Sequence, residues 1–330
     1  MTANDLQQRD VTANGIRIHF AERGTGPLVL LCHGFPEGWY SWRDQLPALA
    51  AAGYHVVAPD MRGYGRTEAP ADISSYTILD IVGDMIGLVS ALGERQAVIV
   101  GHDWGANIAW HAALFRPDVF PAVAALSVPF RQRGPAPPLD MLRKAGQLSH
   151  YWFHLQQPGV AEAEFERDTR AALRRILYSI SGDAPPETRR LTLQPGKGWL
   201  ANTLDPEHLP AWFSDADLDH MAAEFLHSGF RGGLNWYRNI DRNWELTAPW
   251  AGALIRQPAL FIAGSEDPVI SFGSGAAAVQ ALPVTVPGLT RKLLIEGAGH
   301  FIQQERPRLV NEAIVGFLAG LSAWGANHPA

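Results

Sequence analysis

Two apolar patterns alternate along this chain. Short continuous apolar runs read as strands buried on both faces, and longer stretches with apolar residues every three or four positions read as helices. A hairpin comes first: 9–11 and 16–20 flank Asn14-Gly15, a two-residue turn signal. Residues 28–32 are the first buried strand, followed by a helix near 42–52 and a strand over 54–58. Over 76–92, Ile78, Ile81, Val82, Met85, Ile86 and Val89 form one helical face that stops at Gly93. A strand over 97–100, a helix from Ala106 and a sixth strand over 122–127 follow.

After Val128-Pro129-Phe130 the alternation breaks. Gly134-Pro135-Ala136-Pro137-Pro138 is a linker signal, and helices and loops run to about residue 256. Strands resume at 258–264 and 292–295, and a closing helix carries Leu309, Ile314, Val315 and Leu318. The expected class is α/β: a mostly parallel sheet whose core, 1–128 and 257–330, is interrupted after the sixth strand by a helical cap domain, 129–256.

At 330 residues and 47% hydrophobic the chain can bury a large core. With 18% charged residues and a net charge of −6, neither nucleic acid nor an anionic membrane is an expected partner. Residues 1–10 hold no apolar signal core, and no apolar run nears the ~20 residues of a membrane helix. Cys32 ends a strand-like run and reads as a small buried hydrophobe. A soluble cytoplasmic protein is expected.

Gly101-His102-Asp103-Trp104-Gly105 lies between an apolar run and a helix, the setting of a nucleophile elbow whose sharp turn lifts one side chain off the sheet. That side chain is Asp103. An attacking carboxylate makes an alkyl ester of itself, which points to a strained or activated carbon as its target rather than an ester or amide carbonyl. Asp267 and His300 follow later strands, completing the chain order nucleophile, acid, base. Glu266 is the alternative acid; Asp267 is preferred because it directly precedes Pro268 in the turn. The backbone N–H of Trp104, next after the nucleophile, pairs with one from His33-Gly34-Phe35-Pro36, at Phe35, as an oxyanion hole. His33 and His102 read as braces of their turns, and His111 as packed on the elbow helix.

On these motifs the chain resembles the soluble epoxide hydrolases of the α/β-hydrolase fold. The segments 33–42, 60–66 and 101–105 look like that family's oxyanion loop, the loop after it and its elbow. They are shared with haloalkane dehalogenases. The insertion is more specific: 156–162 resembles the cap segment whose ring-opening tyrosine lies just upstream, at Tyr151 here, and 228–239 resembles the segment with the second tyrosine, at Tyr237. Similarity runs from about Val11 to Leu321. His154 is a rival polar group near Tyr151, and Gly233 stands where proline is frequent. Mammalian members carry an N-terminal phosphatase domain, which is not expected in this chain.

The resemblance implies that Asp103 opens an epoxide, Tyr151 and Tyr237 protonate the ring oxygen, and His300, oriented by Asp267, activates water against the ester. The partners are then a small apolar epoxide and water, with no cofactor or metal. Six of the eleven tryptophans lie in the insertion, which favours a lipophilic substrate. A dehalogenase would use the same Asp103 and His300 but has no need of two proton donors. A noncatalytic binder would be expected to lack part of this machinery.

Overall fold

The computed structural model describes residues 5–271 and 274–321. Its centre is an eight-stranded sheet: β1 Gln7–Ala13, β2 Ile16–Arg23, β3 Leu28–Cys32, β4 His55–Pro59, β5 Val98–His102, β6 Ala122–Leu126, β7 Ala259–Gly264 and β8 Leu289–Ile295. The spatial order is β1-β2-β4-β3-β5-β6-β7-β8, antiparallel through β1, β2 and β4 and parallel from β4 to β8. Asn14 (φ 49°) and Gly15 (φ 79°) both adopt positive φ, as a tight two-residue hairpin requires.

The period of two sorts alternate residues of each central strand to opposite faces. Leu30, Ile99, Val123 and Phe261 join the core under helices Ile78–Ala91 and Trp104–Phe115. Val29, Val98, Val100, Leu260 and Ile262 join the core under helices Gln45–Ala51 and Pro307–Ala319. Helices therefore cover both faces, which is why these strands read as unbroken apolar runs. Cys32 is fully buried among them.

Several boundaries differ from expectation. The helix expected over 42–52 is a 3-10 turn, Trp39–Trp42, followed by Gln45–Ala51. The one expected from Tyr76 starts at Ile78, because Thr77 and Asp80 close a capping box there. β8 begins at Leu289, three residues before the apolar run, since its first residues face solvent at the sheet edge. Two helices not expected, Pro268–Ser271 and Ser274–Thr285, fill the β7–β8 connection.

Between β6 and β7 the chain forms seven α-helices among the described residues, from Pro138–Lys144 to Ile240–Leu246, and one isolated bridge, His150 to Thr192. Pro138, read as linker, is the first residue of its helix, where a missing N–H costs nothing. The insertion lies over the C-terminal strand ends: the Trp236 indole donates to Arg62 O at 3.1 Å, and the Tyr40 hydroxyl donates to Asp217 at 2.9 Å. No helix among the described residues is long and apolar enough to cross a membrane.

Candidate active site

The turn after β5 is forced into a sharp bend by close packing. A Cβ on Gly101 would lie 2.6 Å from Ala106 N, and one on Gly105 would lie 2.7 Å from His33 O. Between them Asp103 takes φ 53°, ψ −118°, a strained conformation worth on the order of 1–3 kcal/mol. Its carbonyl accepts from Ala106 N at 3.0 Å, which starts the helix behind it. The carboxylate is thus fixed above the strand end.

Its two oxygens have different partners. Phe35 N–H donates to Oδ1 at 2.9 Å, whereas Oδ2 lies 3.5 Å from His300 Nε2. On the far side of the imidazole, Nδ1 sits 3.1 and 3.2 Å from the two oxygens of Asp267, which is fully buried. Asp267, not Glu266, therefore reaches His300; Glu266 pairs with Arg189 instead. Burial disfavours charge on His300, but the carboxylates of Asp267 and Asp103 push its pKa well above the ordinary value. Burial likewise opposes ionisation of Asp103, yet the contact with His300 and the Phe35 N–H hold it below the usual carboxylate value. Trp104 is the first residue of helix Trp104–Phe115.

Tyr151 begins helix Tyr151–Gln156, and Tyr237 lies on helix Arg231–Arg238. Gln156 Nε2 joins the two helices, donating to Trp152 O at 3.0 Å and Tyr237 O at 3.1 Å. Their phenol rings lie 5.9 Å apart at 73°. The Tyr237 ring packs edge-on against Trp104 at 5.1 Å and Phe35 at 5.5 Å, the residues named for the oxyanion hole. Burial and the charge of Asp103 push both phenols above their ordinary pKa, so both stay protonated at neutral pH. All seven sequence-predicted site residues thus lie in one aromatic-walled cluster at the C-terminal ends of the strands.

His154 is no rival. Its Nε2 lies 2.6 Å from Glu164, which also accepts the N–H groups of Trp199 and Leu200. Gly233 leaves room for its neighbours: a Cβ there would lie 2.7 Å from the Tyr64 hydroxyl and 2.9 Å from the Phe35 ring. His33 braces its turn, donating to Gly34 O and accepting from Met61 N. Of the six tryptophans, Trp199 lies 4.9 Å from Tyr151, tilted by 50°, and stacks on Phe35 at 6.2 Å, while Trp244 and Trp212 hydrogen-bond elsewhere in the insertion.

One group escaped the sequence entirely. Glu37, fully buried, accepts from Gly34 N at 3.0 Å, Gln303 Nε2 at 2.8 Å and Gln304 Nε2 at 3.1 Å, and it meets His102 Nδ1 at 2.8 Å. His102 Nε2 in turn donates to His300 O at 2.7 Å. Burial opposes charge on Glu37, but His102 and the Gly34 N–H hold its pKa below the usual value. This network ties the Phe35 loop, the elbow and the His300 loop into one unit.

A family model for the alpha/beta hydrolase fold matches residues 27–307. Epoxide hydrolase A of Mycobacterium tuberculosis is 46% identical, over 95% of this chain and 98% of its own. Epoxide hydrolase 3 of Siraitia grosvenorii is 43% identical, over 96% and 99%. Among solved structures, an epoxide hydrolase from an endophytic Streptomyces superposes with a TM-score of 0.93 at 48% identity, covering 96% of both chains. Epoxide hydrolase A of Mycobacterium thermoresistibile gives 0.90 at 45%, over 96% and 99%. By fold, by identity across nearly its whole length, and by structural neighbours, this chain belongs to the epoxide hydrolases of the α/β-hydrolase fold.

Proposed function

We propose that this protein hydrolyses lipophilic epoxides to vicinal diols through an ester on Asp103, with residues 129–256 acting as a cap that hangs two phenols over the nucleophile. The observation that carries the proposal is the pairing of Tyr151 and Tyr237, with the Tyr237 ring packed on Phe35 and Trp104, which flank a carboxylate already matched to His300 and Asp267. Asp103 needs no base, being ionised at neutral pH. With Oδ1 engaged by Phe35, Oδ2 is the oxygen that attacks a ring carbon. The carbon–oxygen bond breaks, and a phenol gives its proton to the departing oxygen, which stays on the substrate.

Alkylation also prepares the second half. While Asp103 is charged it helps hold His300 protonated; as an ester it no longer does, and His300 shifts toward the neutral form that accepts a proton from water. Hydroxide adds to the ester carbonyl, and the negative charge falls on Oδ1, against the Phe35 N–H and, in this account, the Trp104 N–H. Removing one such donor costs on the order of 10²–10³ in rate. Collapse releases the diol with the proton from His300, and the new carboxyl proton returns to the phenolate. Electrons and protons then balance with water as the only cosubstrate.

The packed Phe35, Trp199 and Tyr151 rings support an apolar substrate. The cytoplasm is the setting inferred, from composition. The test is a paired assay on an aromatic terminal epoxide and a bromoalkane, following diol and bromide. Diol without bromide is expected; bromide without diol would overturn the role of the tyrosine pair.

A further inference from the structure

The backbone of His300 is held from two sides. Its carbonyl accepts from His102 Nε2 and from the Ser127 hydroxyl, both at 2.7 Å, and both donors belong to the α/β core. Its N–H goes to the insertion instead, donating at 3.0 Å to the carbonyl of Ile180, the residue after helix Thr169–Ser179.

Glu305 reinforces that second grip. It is 4% exposed and ends the short helix Ile302–Glu305 that follows the base. Its Oε1 accepts from Phe301 N at 3.0 Å, and its Oε2 accepts from Gly299 N at 2.7 Å and from Gly182 N at 2.9 Å. One carboxylate thus gathers the N–H groups on both sides of His300 together with one from the insertion. Burial pushes the Glu305 pKa up, and the same three N–H groups oppose that rise. The two backbones can meet because neither carries a side chain at the contact. A Cβ on Gly182 would lie 2.9 Å from Gly299 N, and one on Gly299 would lie 2.6 Å from Ser181 Cα. Arg189 closes the junction: it donates to Gly182 O and Ala184 O, each at 3.0 Å, and pairs with Glu266, the residue before Asp267.

Ring opening, as proposed, draws on other elements. Asp103 and Trp104 lie at the elbow, Phe35 on the loop after β3, and the phenols on helices Tyr151–Gln156 and Arg231–Arg238. The hydrogen bonds of the Glu305 carboxylate go to none of these. We infer that Glu305 is a positioning residue for ester hydrolysis, clamping the loop of His300 to residues 180–182 of the insertion so that the imidazole keeps its place beside Asp103. The insertion then serves both half-reactions, supplying the phenols to the first and holding the base for the second. The inference rests on the proposed mechanism.

The test separates the two steps by rapid-quench kinetics and intact mass on an aromatic terminal epoxide. In Glu305→Gln the amide keeps one acceptor oxygen and turns an NH₂ toward backbone donors, so either Phe301 N or the Gly299 and Gly182 pair is released. Ester hydrolysis should slow by about 10–10²-fold, the cost of a shift of up to about 1 Å at the base, while alkylation stays within about threefold and the ester accumulates. Gly182→Ala attacks the same contact from the insertion and should divide the two steps in the same way; it decides the matter if Glu305→Gln does not fold. Equal slowing of both steps would mark a merely structural role and overturn the inference. So would unchanged ester hydrolysis in either folded variant. If neither wild type nor His300→Gln forms the Asp103 ester while epoxide is consumed, the proposed mechanism itself is refuted, an outcome distinct from variants that match a wild type forming it.

Discussion

Gly34→Ala is the sharpest local test of the oxyanion geometry. A methyl group at Gly34 would come 2.5 Å from Asp103 Oδ1 and 2.8 Å from its Cγ, whereas an ordinary contact needs at least about 3.4 Å. Either the nucleophile or the Phe35 loop must therefore retreat by close to 1 Å. The loop is held from behind by Glu37, which accepts from Gly34 N and is itself fixed by His102, Gln303 and Gln304. The displacement thus falls on the Phe35 N–H to Oδ1 bond, 2.9 Å in the native site. A misplacement of about 1 Å costs on the order of 10²-fold, and loss of one oxyanion donor 10²–10³-fold. Rapid-quench kinetics on an aromatic epoxide, with intact mass to follow the ester, should show both steps slowed and kcat reduced about a hundredfold. Circular dichroism should show the fold retained. A folded Gly34→Ala variant within threefold of wild-type kcat would refute the reasoning.

Other outcomes follow from the same geometry. Tyr151→Phe and Tyr237→Phe should each slow ring opening by about 10–10²-fold, and the double variant by at least the 10²–10⁴ of general acid catalysis; a double variant with near-native alkylation would remove the phenols from the mechanism. His300 has a raised pKa in the resting enzyme because two carboxylates face it, so the pKa governing ester hydrolysis should lie below the His300 pKa of the free enzyme, and hydrolysis should slow as pH falls through it. Single-turnover pH profiles set against an NMR titration of His300 check this, and equal values would contradict it. The same raised pKa has a linkage consequence: its contribution to stability is complete below the unfolded value near 6.5 and is lost as pH rises through the folded value, so wild type should lose more Tm over that interval than His300→Gln. Asp84 receives Arg62 at 2.5 and 2.7 Å and Asn14 at 2.8 Å, all buried or half-buried; Asp84→Ala strands the Arg62 cation and should cost about 3–5 kcal/mol, read as a Tm several degrees lower, and an unchanged Tm would show the pair to be dispensable.

The central strands were legible because each is buried on both faces and therefore apolar throughout. β8 was half hidden because Leu289–Ile295 is the sheet's edge and carries Thr290, Arg291 and Lys292 into solvent. Helix Ser274–Thr285 was hidden by Pro283, which sits in its last turn and reads as a breaker. Asp103 was legible because a strand, two close-packed glycines and a helix surround it, and Asp267 and His300 by their order after later strands. Glu37 was not. Its partners His102, Gln303 and Gln304 lie 65, 266 and 267 residues away, and no local spacing announces a buried carboxylate with donors from three loops. Tyr151 and Tyr237 were found through resemblance, since nothing in the sequence of a helix distinguishes a candidate proton donor from a packed aromatic until the two rings are seen to meet beside Phe35 and Trp104.

The covalent role of Asp103 can be read from where oxygen goes in one turnover. Wild-type enzyme in molar excess over an aromatic epoxide is mixed in H₂¹⁸O, and both the diol and the Asp103 peptide are analysed by mass. If Asp103 attacks, the diol of that first turnover takes its new oxygen from the carboxylate and carries no ¹⁸O, while the Asp103 peptide gains one ¹⁸O. A diol already carrying ¹⁸O, with an unlabelled peptide, would mean that water attacks the epoxide directly and would contradict the account.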